Sequence, residues 1–392
     1  MRHRIVVLGA GYAGAYSAGI LARRLNSADT EITIVNAEPD FVERLRLHQL
    51  AAGQDLKKRP LADIFAGTGV RLRLARVEAV DVERRTVALD DGELSYDTLL
   101  YTLGSTVADH GVPGVAEHAL HVTGRAAALR LRDRLDGLGE DGRVLVVGGG
   151  LTGIEAATEI AESRPGLKVA LAARGELGDW LSPGARRHLR GAFDRFGIDV
   201  HEYTSIERVE PTRAIGADGA VFASEATVWC GGFAVHPIAA ASGLEVADTG
   251  QIIVDDTMRS VSHPDVYAAG DSVHVIGENG RPLPMSCASA GFTSMQAIAA
   301  IVGRLTGREI PSTAMKYYGN HISLGRHDAI TQMVDGDARA KSWYLRGGAA
   351  ARLKNGILKG AAWSTSHPTF GMPARKHRLI TTPERSAEAA LA

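Results

Sequence analysis

The chain has 392 residues, and its 44 Lys and Arg nearly balance 45 Asp and Glu for a formal net charge of −1. That length allows two or three domains at about 150 residues each. The charge balance excludes a general electrostatic reason to bind nucleic acid or an anionic membrane, and two cysteines exclude a disulfide framework, so a reducing, cytoplasmic setting is the default.

Arg4 to Leu8 reads as a short buried strand, and Gly9-Ala-Gly11-Tyr-Ala-Gly14 opens an Ala-rich helix reaching Leu25. The apolar run breaks at Gly9, too early for a secretory core, and no stretch of about 18 apolar residues follows anywhere, so neither an export signal nor a membrane span is expected. A further strand is predicted over Glu31 to Val35. Val70 to Leu100 then alternates apolar and polar residues around turns at Glu83-Arg-Arg and Asp90-Asp-Gly92, the pattern of an antiparallel meander, and ends at Leu103-Gly104.

The same order of elements then repeats. Arg143 to Val147 is a second apolar strand, Gly148-Gly-Gly150-Leu-Thr-Gly153 opens a helix through about Glu162, and Leu167 to Ala172 is the following strand. Ile198 to Val228 alternates as a second meander and ends at Trp229-Cys-Gly231-Gly232. In such a turn the first glycine permits the tight bend, the second lets a pyrophosphate approach the backbone, and the third packs helix on strand. The helix N-terminus supplies free N–H groups and positive dipole. Two such units, each inside a βαβ frame, predict an α/β fold of two Rossmann-like dinucleotide-binding domains carrying meanders, followed by a C-terminal α+β domain.

Thr257 to Asp271, ending in Ala-Ala-Gly270-Asp271, resembles the late flavin motif of two-dinucleotide flavoproteins. Val35-Asn36 with Glu43 and Leu47-His48, Gly148 through Glu155, and Leu103-Gly104 with Gly111-Val-Pro-Gly114 resemble segments of the type II NADH dehydrogenase-like proteins among the FAD-dependent pyridine nucleotide oxidoreductases. The resemblance spans about residues 3 to 310. It implies an FAD domain of residues 1–118 and 255–310, an NAD(P)H domain of 119–254 and an interface domain of 311–392. It also implies FAD contacts at Gly9, Gly11, Gly14, Asn36, Arg44, Arg46, Val77, Leu103, Gly104, Gly270, Asp271 and Cys287. NADPH or NADH would lie against Gly148, Gly150, Gly153, Arg174, Gly231 and Gly232.

The implied activity is hydride transfer from NAD(P)H to flavin, then delivery of two electrons to a quinone-like or conjugated small molecule. Glu155 and His48 are the candidate catalytic residues, Glu155 to orient the nicotinamide or flavin edge. Ala172-Ala-Arg174 lacks the acid that would bind an adenosine 2′-hydroxyl, so NADPH is expected to serve at least as well as NADH. Cys230 and Cys287 are too far apart for a redox pair, which argues against disulfide-reductase chemistry; Cys230 is expected as a small buried hydrophobe. Only Gln296 remains of the glutamines that type II enzymes tend to carry near the flavin. Among the histidines His48, His121, His236 and His321, no metal-ligand spacing occurs.

In the C-terminal part, strands are expected over His321 to Leu324 and Ile330 to Val334, and a helix over Ala349 to Trp363 interrupted by Gly356 and Gly360. Arg352, Lys354 and Lys359 would form its polar side. A surface or homodimer helix is favoured over peripheral membrane contact, and residues 381–392 read as a mobile tail. Two other functions share the fold: a tailoring flavoenzyme for a specific metabolite, and a redox-dependent binding protein similar to apoptosis-inducing factor.

Overall fold

The computed structural model describes residues 1–335, 339–371 and 375–380; the predicted tail at 381–392 lies outside them. Ile5 to Leu8 form a continuous apolar run because their strand, His3–Leu8, is central in a sheet covered on both faces. That sheet is parallel throughout, in the order Val266–Ala268, Thr98–Tyr101, His3–Leu8, Thr30–Asn36, Val70–Leu74. The helix Tyr12–Arg24 crosses from its first strand to its second and packs against the helix Cys287–Thr306.

A second parallel sheet runs Asp199–His201, Lys168–Ala172, Arg143–Val147, Ala226–Trp229, with the helix Leu151–Ser163 as its crossover. In each half a three-stranded antiparallel meander stands apart from the sheet: Val77–Asp81, Thr86–Leu89 and Gly92–Ser95 in the first, Ile206–Glu210, Arg213–Gly216 and Val221–Ala223 in the second. Both meanders are shorter than their alternating sequence predicts. Val70–Leu74, Thr98–Tyr101, Asp199–His201 and Ala226–Trp229 belong to the parallel sheets instead, because alternation along a strand identifies a strand and leaves its partner open.

The two halves are joined where each sheet ends. Ser105–Val107 pairs antiparallel with Phe233–Val235, so the segments after Gly104 and after Gly232 form one ribbon. The C-terminal part adds an antiparallel sheet, Gly319–Ser323, Ala329–Val334 and Ala340–Arg346, and the helix Gly347–Ser366. That helix passes through Gly356 and Gly360, where an added Cβ would meet nothing within 4 Å, so they thin its exposed face without breaking it. Its buried stripe is Ala350, Lys354, Leu358, Ala362 and Thr365, a helical spacing that carries Lys354 inward and corrects its expected place on the polar side.

Candidate active site

The two glycine turns superpose in their chemistry. Gly9 N–H donates to Val35 C=O and Gly148 N–H to Ala172 C=O, each at 2.8 Å. Both first glycines have positive φ, +92° and +128°, and a Cβ there would stand 2.5 Å from Thr102 O or 2.3 Å from Cys230 O. The third glycines, Gly14 and Gly153, abut the carbonyls of the first, where a Cβ would come within 1.8 and 1.9 Å. Gly11 and Gly150 have open space where a Cβ would be. Both are helix N-caps without a side-chain cap, and neither helix has an acid in its first turn. Four free N–H groups at a helix start therefore face an open backbone cradle, twice, which is the arrangement a dinucleotide pyrophosphate requires. The residues fit FAD and NAD(P)H.

Around the first cradle, four segments distant in sequence converge. Ser105 Oγ donates to Asp271 Oδ2 at 2.6 Å, Gly104 N–H to Ser272 Oγ at 3.0 Å, and Gly270 N–H to Thr293 Oγ1 at 3.0 Å. The Arg44 guanidinium bonds Ser105 through its carbonyl and hydroxyl, lies 5.1 Å from the Phe233 ring centroid, and has its pKa lowered by burial against the opposing pull of Asp271. Gly104 and Gly270 both need positive φ, +72° and +79°. Asn36 is engaged within its own loop: its Oδ1 accepts from Ala10 N–H at 2.9 Å and its Nδ2 donates to Glu38 C=O at 2.7 Å. Arg46 bonds Gln49 and approaches Glu43 at 3.7 Å, and Val77, half-buried, begins the meander. Leu103 is partly buried against the first core.

Cys230 sits behind the second cradle, 3.5 Å from the place of a Gly153 Cβ, and burial pushes its thiol up to about 12. Its side chain is partly buried and packs against the second core. Cys287 heads the helix Cys287–Thr306, and burial with the Asp271 charge pushes its thiol up to about 11, so it is a protonated thiol. Gln296 lies buried in that helix with Oε1 accepting from Thr313 N–H at 2.7 Å, which makes it a structural group. Gly231 accepts from the His110 ring at 2.9 Å, and Gly232 has φ +142° at the crossing.

Glu155 is buried at the junction of all three parts of the molecule. Its Oε1 contacts Lys354 Nζ and accepts from Ser323 N–H at 2.9 Å; its Oε2 lies 3.9 Å from His48 Nδ1. Lys354 Nζ also donates to the His321 carbonyl at 3.0 Å. Burial lowers the Lys354 ammonium to about 7. His48, fully enclosed and facing the Lys354 and Arg46 charges, is lowered to about 3 and is neutral; its Nε2 has no protein partner. One turn along the helix, buried Glu159 receives hydrogen bonds from Gln54 and Arg326. Lys354 was not a sequence-level candidate, although its place on the apolar stripe of its helix is the signal that could have found it.

The remaining histidines have local roles: the rings of His121 and His321 bond Thr123 Oγ1 at 2.8 Å and Thr331 Oγ1 at 3.0 Å, and half-buried His236 is lowered by burial and by the Arg44 and Arg76 charges. Among the described residues no group of three or more His, Cys, Asp or Glu could hold a metal, and no helix is long and apolar enough to cross a membrane. At the end of Lys168–Ala172, Arg174 is exposed and makes no ion pair among the described residues. The nearby acids are engaged, Glu176 with Arg186 and Arg190, and Glu202 with Arg190 and Leu177 N–H.

Comparison with known proteins agrees with this geometry. The family model for pyridine nucleotide-disulphide oxidoreductases matches residues 3–294. An NADH dehydrogenase-like protein of Mycobacterium tuberculosis is 28% identical over 83% of this chain and 87% of its own length. The demethylphylloquinone reductase NdbB of Synechocystis sp. is 25% identical over 84% and 86%. The structure of NDH2 from Plasmodium falciparum in complex with NADH has the same fold, with a TM-score of 0.78 at 14% identity over 94% of this chain and 97% of that one. Paired cradles, the Gly270-Asp271 turn and the family match together establish that the chain belongs to the pyridine nucleotide-disulphide oxidoreductase family, as an FAD-dependent enzyme using NAD(P)H.

Proposed function

We propose that this enzyme reduces a quinone-type acceptor, and that Lys354 delivers the proton the product requires. The balance is one NAD(P)H, one proton and one quinone giving NAD(P)+ and a quinol, so one proton per turnover must come from solvent. Bound FAD supplies acceptance of the hydride and two-electron delivery. The observation that carries the reading is the buried contact of Lys354 with Glu155, which places an ammonium of pKa about 7 between the second cradle helix and the C-terminal helix. An acid with a pKa near the working pH both holds and releases its proton readily. Glu155 fixes the ammonium in place, with Ser323 N–H holding the carboxylate. Neutral His48 lines the same cluster as a positioning group, because a pKa of about 3 leaves it no imidazolium proton to give.

The demethylphylloquinone reductase among the relatives supports the acceptor class. Exposed Arg174, with the neighbouring acids already paired, supports use of NADPH at least as readily as NADH. A cytoplasmic location, and a homodimer joined through the exposed Leu353 and Ile357, belong to the same reading.

Stopped-flow kinetics test it. In Lys354→Met, flavin reduction by NADPH should keep its rate within about threefold, while reoxidation by menadione falls roughly 100-fold and loses its dependence on pH near 7. Lys354→Arg should restore little, since an Arg proton is not released at this pH. Equal loss in both half-reactions would refute the assignment.

A further inference from the structure

A cleft of about 520 Å³ opens between the segment that carries His48 and the C-terminal helix, lined by Glu43, Arg46, Lys57, Arg59, Lys359, Gly360, Trp363 and His367. Its charge is unlike that of the molecule. The one carboxylate, Glu43, is buried and already answered twice, by Arg59 Nε at 2.8 Å and by Arg46 at 3.7 Å. Arg59 is held further by Ser366 Oγ at 3.1 Å. Lys57 and Lys359 are exposed on opposite walls and make no ion pair among the described residues. Four cations therefore face one carboxylate on a chain whose net charge is −1.

The same cleft has an aromatic wall. Trp363 is 45% exposed, stacks on the His367 ring at 4.8 Å and 22°, and meets Phe370 edge-on at 4.7 Å. Chain neighbours connect it with the candidate active site. Glu43 and Arg46 flank Arg44, which bonds Ser105 beside Asp271, and Lys359 lies five residues beyond Lys354 on one helix.

Resting on the quinone reading above, we infer that the acceptor is an anionic aromatic quinone, its rings against Trp363 and its carboxylate or sulfonate between Lys57 and Lys359. Flat aromatic surface beside unpaired cations suits a ring that carries a negative group, and an uncharged isoprenoid quinone would leave both lysines unused.

The test uses the FAD holoenzyme and the double variant Lys57→Glu/Lys359→Glu, changed only at exposed positions. The ratio of the KM for 1,4-naphthoquinone-2-sulfonate to that for menadione should lie well below one in the wild type and rise at least about tenfold in the variant, an effect that shrinks as salt is raised. Calorimetric binding of 2-naphthoate, which cannot be reduced, should weaken by a similar factor, while Trp363→Ala should weaken 2-naphthoate and neutral 2-naphthol alike. Lysine-dependent naphthoate binding in an enzyme that reduces neither quinone would sink the quinone reading and leave the anion-binding cleft standing. Equal wild-type KM values with naphthoate binding indifferent to the lysines would overturn the inference. So would loss of sedimentation with phosphatidylglycerol vesicles in the double variant while naphthoate still binds, because the anion would then be a lipid head group.

Discussion

His48 and Lys354 are titratable side chains enclosed by protein, and each makes the folded state sensitive to pH in a definite window. His48 is lowered from 6.5 to about 3. Between those values the unfolded chain carries a proton that the folded chain does not, so stability is whole above pH 6.5 and falls as the pH drops toward 3. Replacing His48 with Asn should flatten that limb of the stability curve by about 2–4 kcal/mol at pH 4 relative to pH 7, read from urea midpoints. A wild-type curve that is already flat over this range would show the imidazole to be protonated in place. Lys354 works in the opposite range: lowered from 10.5 to about 7, it costs stability below pH 7, and that cost lifts as the pH rises toward 10.5. At this scale the sequence was informative only for residues tied to a motif. Glu155 could be singled out because it follows a glycine turn by two residues. Lys354 was harder to single out, because its partner lies 199 residues away and only its place on the apolar stripe of its helix marks it among cations that otherwise read as solvent-facing.

At the scale of elements, duplication made the glycine turns legible, since a turn that must pass a phosphate can hardly be built with side chains at those positions. The two meanders were legible as strands but not in extent, because their first and last strands join parallel sheets through partners that alternation does not reveal. The paired geometry leads to a paired prediction. Gly14→Ala and Gly153→Ala insert the same atom into the same contact, 1.8 and 1.9 Å from a backbone carbonyl that cannot move without distorting its turn. Gly14→Ala should be isolated with the 450 nm flavin band reduced by most of its height. Gly153→Ala should retain the flavin while its reduction by NADPH slows at least about tenfold, an acceptance cost in the range of a core strain of 1–3 kcal/mol. Loss of flavin from both variants would mean that the halves do not bind their nucleotides independently.

The whole molecule joins its parts through contacts of different kinds: a buried cluster shared by Leu47 and Leu50, Ile154 and Leu171, and Ile322 and Ile330, the ribbon of Ser105–Val107 with Phe233–Val235, the Glu155–Lys354 contact, and a C-terminal stretch in which Arg378 pairs with Asp29 at 2.8 Å and Pro368 covers Gly19. With a net charge of −1, the molecule has little overall field to draw in an anion, so recognition of phosphate must be local. In the proposed reading the pyrophosphates would meet backbone N–H groups, which do not distinguish NADH from NADPH. The same reading assigns the distinction to the end of Lys168–Ala172, where Arg174 is exposed and Glu176 and Glu202 are already committed to Arg186 and Arg190. Reversing that one charge should therefore act on the 2′-phosphate alone. Arg174→Asp should raise the KM for NADPH in flavin reduction at least about tenfold and change that for NADH less than threefold, with the difference narrowing at high salt. If both cofactors weaken together, Arg174 supports the fold of the adenosine pocket; if neither does, it is a solvated cation, and selection between the cofactors lies with other residues.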